Sequence, residues 1–244
     1  AQISKYFDQI EHKVQHREFV THTGTYKGQR VSALSTGIGV DNIDIVLNEL
    51  DALVNIDLRS RLIKPVKKSL KIIRIGTSGA LNADLPVGTF VHSKYAIGLD
   101  GMLNYYKLNF EADEHSLIEA FLDHCEWKNE KLIPYAVRSA DFMDDAFSGF
   151  TVSGITLTAN GFYGPQGRRL RLNTQQDLNE VMSRFNYKDL PILNYEMESS
   201  ALFGLGAALG HRCTTACTVV ANRVRKAFLK DSKGSVENFI RSVL

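Results

Sequence analysis

Two glutamates, Glu196 and Glu198, stand either side of Met197 in the stretch NYEMESS, where an apolar helix begins. Ala201, Leu202, Leu205 and Leu209 recur behind them at helical spacing. Acidic residues in a first turn suit the positive end of the helix dipole, and that accounts for one carboxylate. The second is left to accept from hydroxyl groups such as those of a sugar. Arg74 is the next unusual group. It lies in LKIIRIG, an otherwise apolar strand with Lys71, and burying a guanidinium unpaired is costly. It needs an anion, either a structural carboxylate or a phosphate. A phosphate would suit it together with Thr77, Ser78 and the amides of a small turn, GTSGA. The third group is NGFYGPQGRR at 160–169. Gln166 presents a donor beside an acceptor, Arg168 adds fixed donors, and Phe162 or Tyr163 offers a ring. Together they could read a planar heterocycle; the alternative is a surface turn with a basic run, Arg168-Arg169-x-Arg171.

Other chemistries lack their residues. The seven histidines are scattered, and neither a GxSxG elbow nor an HExxH pair occurs. STGIG at 35–39 is no dinucleotide fingerprint, since Asn42 stands where a third glycine is required. It reads as a tight strand-to-helix turn. Cys213 and Cys217 have no partners to complete a zinc set and, with Cys125, read as reduced buried thiols in the cytoplasm. No metal site is expected. Binding and electrostatics remain as the means of catalysis.

The elements that position these groups alternate. Residues 17–36 read as a hairpin about KGQ. A helix follows GIG, with Asp41 as its N-cap and Ile43, Val46, Leu47, Leu50 and Leu53 on one face. LKIIRIG reads as a strand buried on both faces. Further strands are predicted at 87–98, in IPYAVR, in TVSGITLTAN and at 213–222. HSLIEAFLDHCEW reads as a helix with a Ser116–Glu119 capping box. NTQQDLNEVMSRF and SVENFIRSVL read as helices, the last with Val236, Phe239, Ile240 and Val243 on one side. The class is α/β: one domain over residues 1–244, a central mixed β-sheet flanked by helices. The chain has 244 residues, of which 44% are hydrophobic and 23% charged, enough for one sizeable core. A net charge of +2 is too balanced to argue for nucleic acid or a membrane surface. No apolar run reaches the roughly 20 residues of a bilayer span, and AQISKYFDQIEHKVQ lacks the core of a signal peptide.

In this order, HREF, STGIG, RIGTSGAL, FYGPQGR, NYEMESSAL and VVANR resemble the nucleoside phosphorylase family, in its uridine branch. They spread from residue 16 to residue 223. NYEMES with a Gln-x-Arg insert is the specific sign of that branch. Purine-cleaving relatives place an aspartate soon after the strand at 213–221, and here the sequence reads VVANRVRK. The resemblance implies phosphorolysis of uridine, with deoxyuridine or thymidine as further substrates, to uracil and ribose 1-phosphate in pyrimidine salvage. It implies no organic cofactor, phosphate being a co-substrate, and a homo-oligomer, at least a dimer and commonly a hexamer. Arg74 and Thr77 match phosphate contacts, and Arg17 matches an arginine lent across a dimer interface. Glu198, Met197 and Thr77 match ribose contacts. Gln166 and Arg168 match the pair that reads uracil, Phe162 the stacking ring, and Arg223 a residue at the uracil edge. Arg168, Gln166, Arg74 and Glu198 are thus the expected catalytic set.

Two departures accompany the match. The family's Gly-Asp-Pro-x-Arg phosphate loop, and an upstream histidine for the sugar 5′-hydroxyl, are outside these residues. YGPQGR stands where many bacterial relatives have Pro-Gly, with a Glu inside Gln-x-Arg. A hydrolytic nucleosidase of the same fold and a nucleoside-binding protein without turnover are the rival expectations.

Overall fold

Three strands pair in sequence order in the N-terminal unit: β1 (Gln9–His16), β2 (Phe19–Tyr26) and β3 (Gln29–Ser35). The β2–β3 hairpin is the predicted one. Its turn residues Lys27 and Gly28 take φ of 48° and 72°, the left-handed region that a tight hairpin demands. β1 was not predicted, because QIEHKVQH is largely polar and almost wholly exposed, with no apolar face to betray it. The computed structural model describes residues 2–174 and 177–244. It divides into two units, Ala1–Ile38 and Gly39–Leu244.

The second unit opens with α1 (Val40–Asn55) and a small hairpin, β4 (Ile56–Asp57) and β5 (Leu62–Ile63). Then come β6 (Lys71–Ala80), β7 (Phe90–Leu99), α2 (Ala112–His124), β8 (Tyr135–Arg138) and α3 (Asp144–Ser148). They are followed by β9 (Val152–Ala159), α4 (Asn179–Met182), β10 (Asn186–Tyr187), β11 (Leu190–Glu196) and α5 (Ser199–Ala208). β12 (Arg212–Asn222), β13 (Ala227–Phe228) and α6 (Ser232–Val243) complete it. The central sheet is mixed and runs β13-β12-β6-β11-β9-β7-β8. β12 also pairs with β7, so five strands close into a ring.

Helices cover this sheet as their patterns require. Val40, Ile43 and Leu47 of α1 pack with Ala201, Leu202 and Leu205 of α5. Leu50 is only partly covered and Leu53 is 60% exposed, so the apolar stripe is shorter than the sequence suggests. α5 is buried on all sides from Ser199 to Gly206, which suits its lack of charged residues. Leu117 and Phe121 of α2 join Ile155, Leu157 and Tyr195 in a second cluster. Phe239 of α6 meets Phe147 and Ala216.

Five local expectations are corrected. The N-cap of α1 is Gly39 rather than Asp41, because the backbone enters the helix at φ 103°, which glycine tolerates. The capping box of α2 is Glu111 with Glu114, while Ser116 lies inside the helix and donates to the Ala112 carbonyl (2.9 Å). GTSGA is no turn. β6 continues through it to Ala80 in register with β12, Thr77 opposite Thr218 and Gly79 opposite Ala221. Nor is β6 buried along both faces. Lys71, Ile73 and Thr77, which share one face of the strand, are exposed. In the segment 173–185, helix is confined to α4, and Gln175 and Gln176 lie outside the described residues.

Candidate functional site

The two glutamates sit at a strand-to-helix junction. β11 ends at Glu196 and α5 begins at Ser199, with Glu198 at the N-cap position. The capping work, however, falls to Glu196. Its carboxylate accepts from the amides of Glu198 (3.0 Å) and Ser199 (2.9 Å) and from the Thr158 hydroxyl (2.6 Å). These are amides that a helix start leaves without internal partners. Glu198 turns the other way. Its Oε1 accepts from the Gly39 amide (2.8 Å) and its Oε2 from the Met197 amide (3.2 Å). The question of two carboxylates resolves into two jobs. Glu196 is saturated by the fold, and Glu198 keeps capacity on Oε1, which takes only the Gly39 amide.

Arg74 reaches both. Its Nη1 lies 3.2 Å from Glu196 Oε2 and 3.2 Å from Cys217 Sγ, and its Nη2 pairs with Glu198 Oε2. Of the two anions expected for it, this structure supplies the structural carboxylate. Burial disfavours the guanidinium charge, but the Glu198 and Glu196 carboxylates, with Cys217 Sγ as a further acceptor, outweigh it and hold Arg74 more firmly protonated than usual. Burial raises the Glu196 pKa, with Glu198 adding to it and Arg74, Thr158 and Ser199 opposing. Burial also pushes the Cys217 thiol up to about 12, so the sulfur is a neutral contact. Thr77, three residues along β6, is exposed. Met197 is half-buried beside Glu198.

A second group of predicted residues gathers around Gln166, which closes a short 3-10 turn, Gly164–Gln166, and is 2% exposed. Arg223 follows β12, its amide bonded to the Ala80 carbonyl (3.0 Å). Its Nη1 donates to the Gln166 main-chain oxygen (3.0 Å) and its Nη2 to the Gln166 side-chain oxygen. The guanidinium lies over the Tyr195 ring, 4.9 Å from the centroid. Burial brings the Arg223 pKa down to about 10; Tyr195 opposes and the nearby Arg168 charge adds to the fall. Arg168 stacks on Phe162 at 4.3 Å and on Tyr163 at 5.1 Å. Phe162 is 53% exposed. Arg17 belongs to the first unit, at the exposed tip of the β1–β2 hairpin, with φ 54°.

The arrangement offers a cation between carboxylates at one place and a buried amide with two guanidinium groups at another. Among the described residues, no group of three or more His, Cys, Asp or Glu is placed to hold a metal ion. No described helix is long and apolar enough to cross a membrane. The sequence model of the phosphorylase superfamily matches residues 1–243. This chain belongs to that superfamily.

Within it, the chain is 29% identical to a uridine phosphorylase of Thermococcus kodakarensis, over 93% of this chain and 71% of the relative. It is 28% identical to a uridine phosphorylase of Haemophilus influenzae, over 92% and 77%. A DeoD-type purine nucleoside phosphorylase of Oceanobacillus iheyensis is 29% identical over 81% and 66%. Among solved structures, a Trypanosoma brucei nucleoside phosphorylase that shows uridine phosphorylase activity superposes with a TM-score of 0.87. It is 28% identical, and the match covers 99% of this chain and 88% of that one.

Several residues of this phosphorylase superfamily member escaped the sequence reading. Thr158, Cys217, Tyr195, Asn179 and the Gly39 amide all bond or pack against predicted residues. Tyr195 adjoined the glutamates in one motif and was open to notice. Cys217 and Thr158 carry no signal in one sequence, because only strand pairing brings them to Arg74 and Glu196.

Proposed function

We propose that this protein cleaves uridine with phosphate, releasing uracil and ribose 1-phosphate, with deoxyuridine and thymidine as further substrates. The observation that carries this reading is the pair of hydrogen bonds from Arg223 to Gln166. They join the two segments, VVANR and FYGPQGR, expected at the edge of a pyrimidine. An arginine stands there rather than an acid able to protonate a purine nitrogen.

Cleavage of the glycosidic bond leaves positive charge on the sugar and negative charge on the base. Arg168 and Gln166 donate to the departing uracil and stabilise its charge, with Phe162 against its face and Arg223 at its edge. Arg74, Thr77 and an Arg17 contributed by a second copy hold phosphate against the sugar. Glu198, with Met197 and Thr77 beside it, fixes the ribose hydroxyls, a matter of positioning more than proton transfer. No organic cofactor enters this scheme. The enzyme works as a homo-oligomer, a dimer or three dimers in a hexamer, in cytoplasmic pyrimidine salvage.

The test is uracil release from uridine by the purified protein with and without phosphate. Release that stops when phosphate is omitted supports phosphorolysis. Release at an equal rate without phosphate makes the protein a hydrolase. Uridine binding with no release in either condition makes it a binding protein.

A further inference from the structure

Thr158, the last residue but one of β9, is fully buried, and its hydroxyl both donates and accepts beside the site. It donates to Glu196 Oε1 (2.6 Å) and accepts from the Ser200 amide (3.0 Å). Ser200 is fixed in turn. Its hydroxyl donates to Asp100 Oδ2 (2.7 Å), whose other oxygen takes the Tyr135 hydroxyl (2.6 Å). A chain of buried hydrogen bonds therefore runs from Asp100 through Ser200 and Thr158 to Glu196, and from there to Arg74. We propose that Thr158 is a positioning residue: its hydroxyl, anchored by the Ser200 amide, holds Glu196 beneath Arg74 so that Arg74 and Glu198 keep a productive arrangement. This rests on the function proposed above.

The reason lies in what faces Glu196. Arg74 of β6 and the amides at the start of α5 favour its charge, and so does Thr158 of β9. Glu198 opposes it, and Cys217 of β12 contributes only an uncharged sulfur. A carboxylate this deeply buried stays ionised only while such donors remain. Once neutral, it releases its hold on Arg74, whose guanidinium, already paired with Glu198 through Nη2, is left to Glu198 alone and shifts further onto the carboxylate the sugar needs.

Three proteins test this: wild type, Thr158→Val, which keeps shape and loses the hydroxyl, and Thr158→Ser, which restores it. Two readouts are taken, the 13C titration of the Glu196 carboxyl and uridine affinity against pH without phosphate. In Thr158→Val the Glu196 titration moves up by about one pH unit. Uridine affinity falls about tenfold where Glu196 is protonated in Thr158→Val but not in wild type, and little at higher pH where both are ionised. Thr158→Ser follows wild type in both. Overlapping titrations in the three proteins, or an affinity loss in Thr158→Val that is the same at every pH, overturn the proposal. If Thr158→Val does not fold, Glu196→Gln is read instead: its uridine affinity loses the pH dependence of wild type, and an unchanged dependence overturns the proposal. A wild type that cleaves no uridine counts against the proposed function, while the titration still decides the role of Thr158.

Discussion

Gly76 lies directly beneath the guanidinium of Arg74, so close that a Cβ at Gly76 would sit 2.6 Å from Nη1. Arg74 and Gly76 are two apart on β6 and share a face, so the arginine folds along its own strand toward Glu196 and Glu198. Any side chain at 76 displaces that cation. Because the obstructed atoms are the far end of a flexible side chain, the strand itself need not move.

Gly76→Ala is therefore expected to leave the fold intact and to damage the site. A misplacement of this size costs kcat/KM for uridine about a hundredfold. The measurement is steady-state kinetics beside a thermal melt. Near-normal kinetics in a folded Gly76→Ala protein would show that the position of Arg74 is unimportant.

In the proposed mechanism, Arg168→Ala removes a donor from the leaving base. The expected loss of transition-state stabilisation is about 3 kcal/mol, seen mainly in kcat. Stacking on Phe162 and Tyr163 means that the substitution also frees both rings, so KM is expected to change less than kcat. A variant with wild-type kcat/KM removes Arg168 from the base-reading group.

In the proposed mechanism, Glu198→Gln weakens the acceptor offered to the ribose. Cleavage of uridine is expected to fall by about a hundredfold, a charged hydrogen bond being worth roughly 1.5–3 kcal/mol. 2′-Deoxyuridine, with one hydroxyl fewer to hold, should lose less. The informative quantity is the ratio of the two kcat/KM values; if it stays at its wild-type value, Glu198 does not hold the 2′-hydroxyl.

His92 governs stability in acid. It is 1% exposed, bonds to Thr214 Oγ1 (3.0 Å) and packs edge-on against Phe147 at 4.9 Å. Burial brings its pKa from 6.5 down to about 4, with the Lys94 charge adding and Asp144 opposing. The folded state thus binds fewer protons here than the unfolded state. The stability that neutral His92 allows is fully present above about pH 6.5 and is lost as pH falls through 4, by about 3 kcal/mol in all. Urea midpoints between those limits should fall steeply in wild type and less steeply in His92→Gln. Parallel slopes in the two proteins would assign the acid sensitivity elsewhere.

Much of this molecule was legible because burial leaves periodic traces. The strands at 87–98, 151–160 and 213–222 and the closing helix all show apolar runs or stripes, and all are present. The demand of Arg74 for an anion was equally legible, since it follows from charge alone. What answers it was not. Glu198 is 124 residues away in sequence, and only the pairing of β6 beside β11 brings them together. β11 was hidden for a related reason: its polar end, Asn194 to Glu196, read as the entry to a helix. β1 was hidden because an exposed ribbon needs no apolar pattern. The division of labour between Glu196 and Glu198 also needed coordinates, for it depends on which carboxylate turns back toward the helix amides.

The ring of five strands carries a consequence for how such a protein diversifies. Arg74, Thr158, Glu196 and Cys217 stand on strands locked edge to edge around a closed circuit. Gln166, Arg168 and Phe162 lie in a loop, and Arg223 lies just past a strand end. Exchange among the strand residues disturbs several neighbours at once, whereas loop residues can be replaced with the frame intact. On the proposed roles, a descendant could thus acquire a taste for a different base by rewriting two short segments, while inheriting unaltered the strand-borne groups for sugar and phosphate.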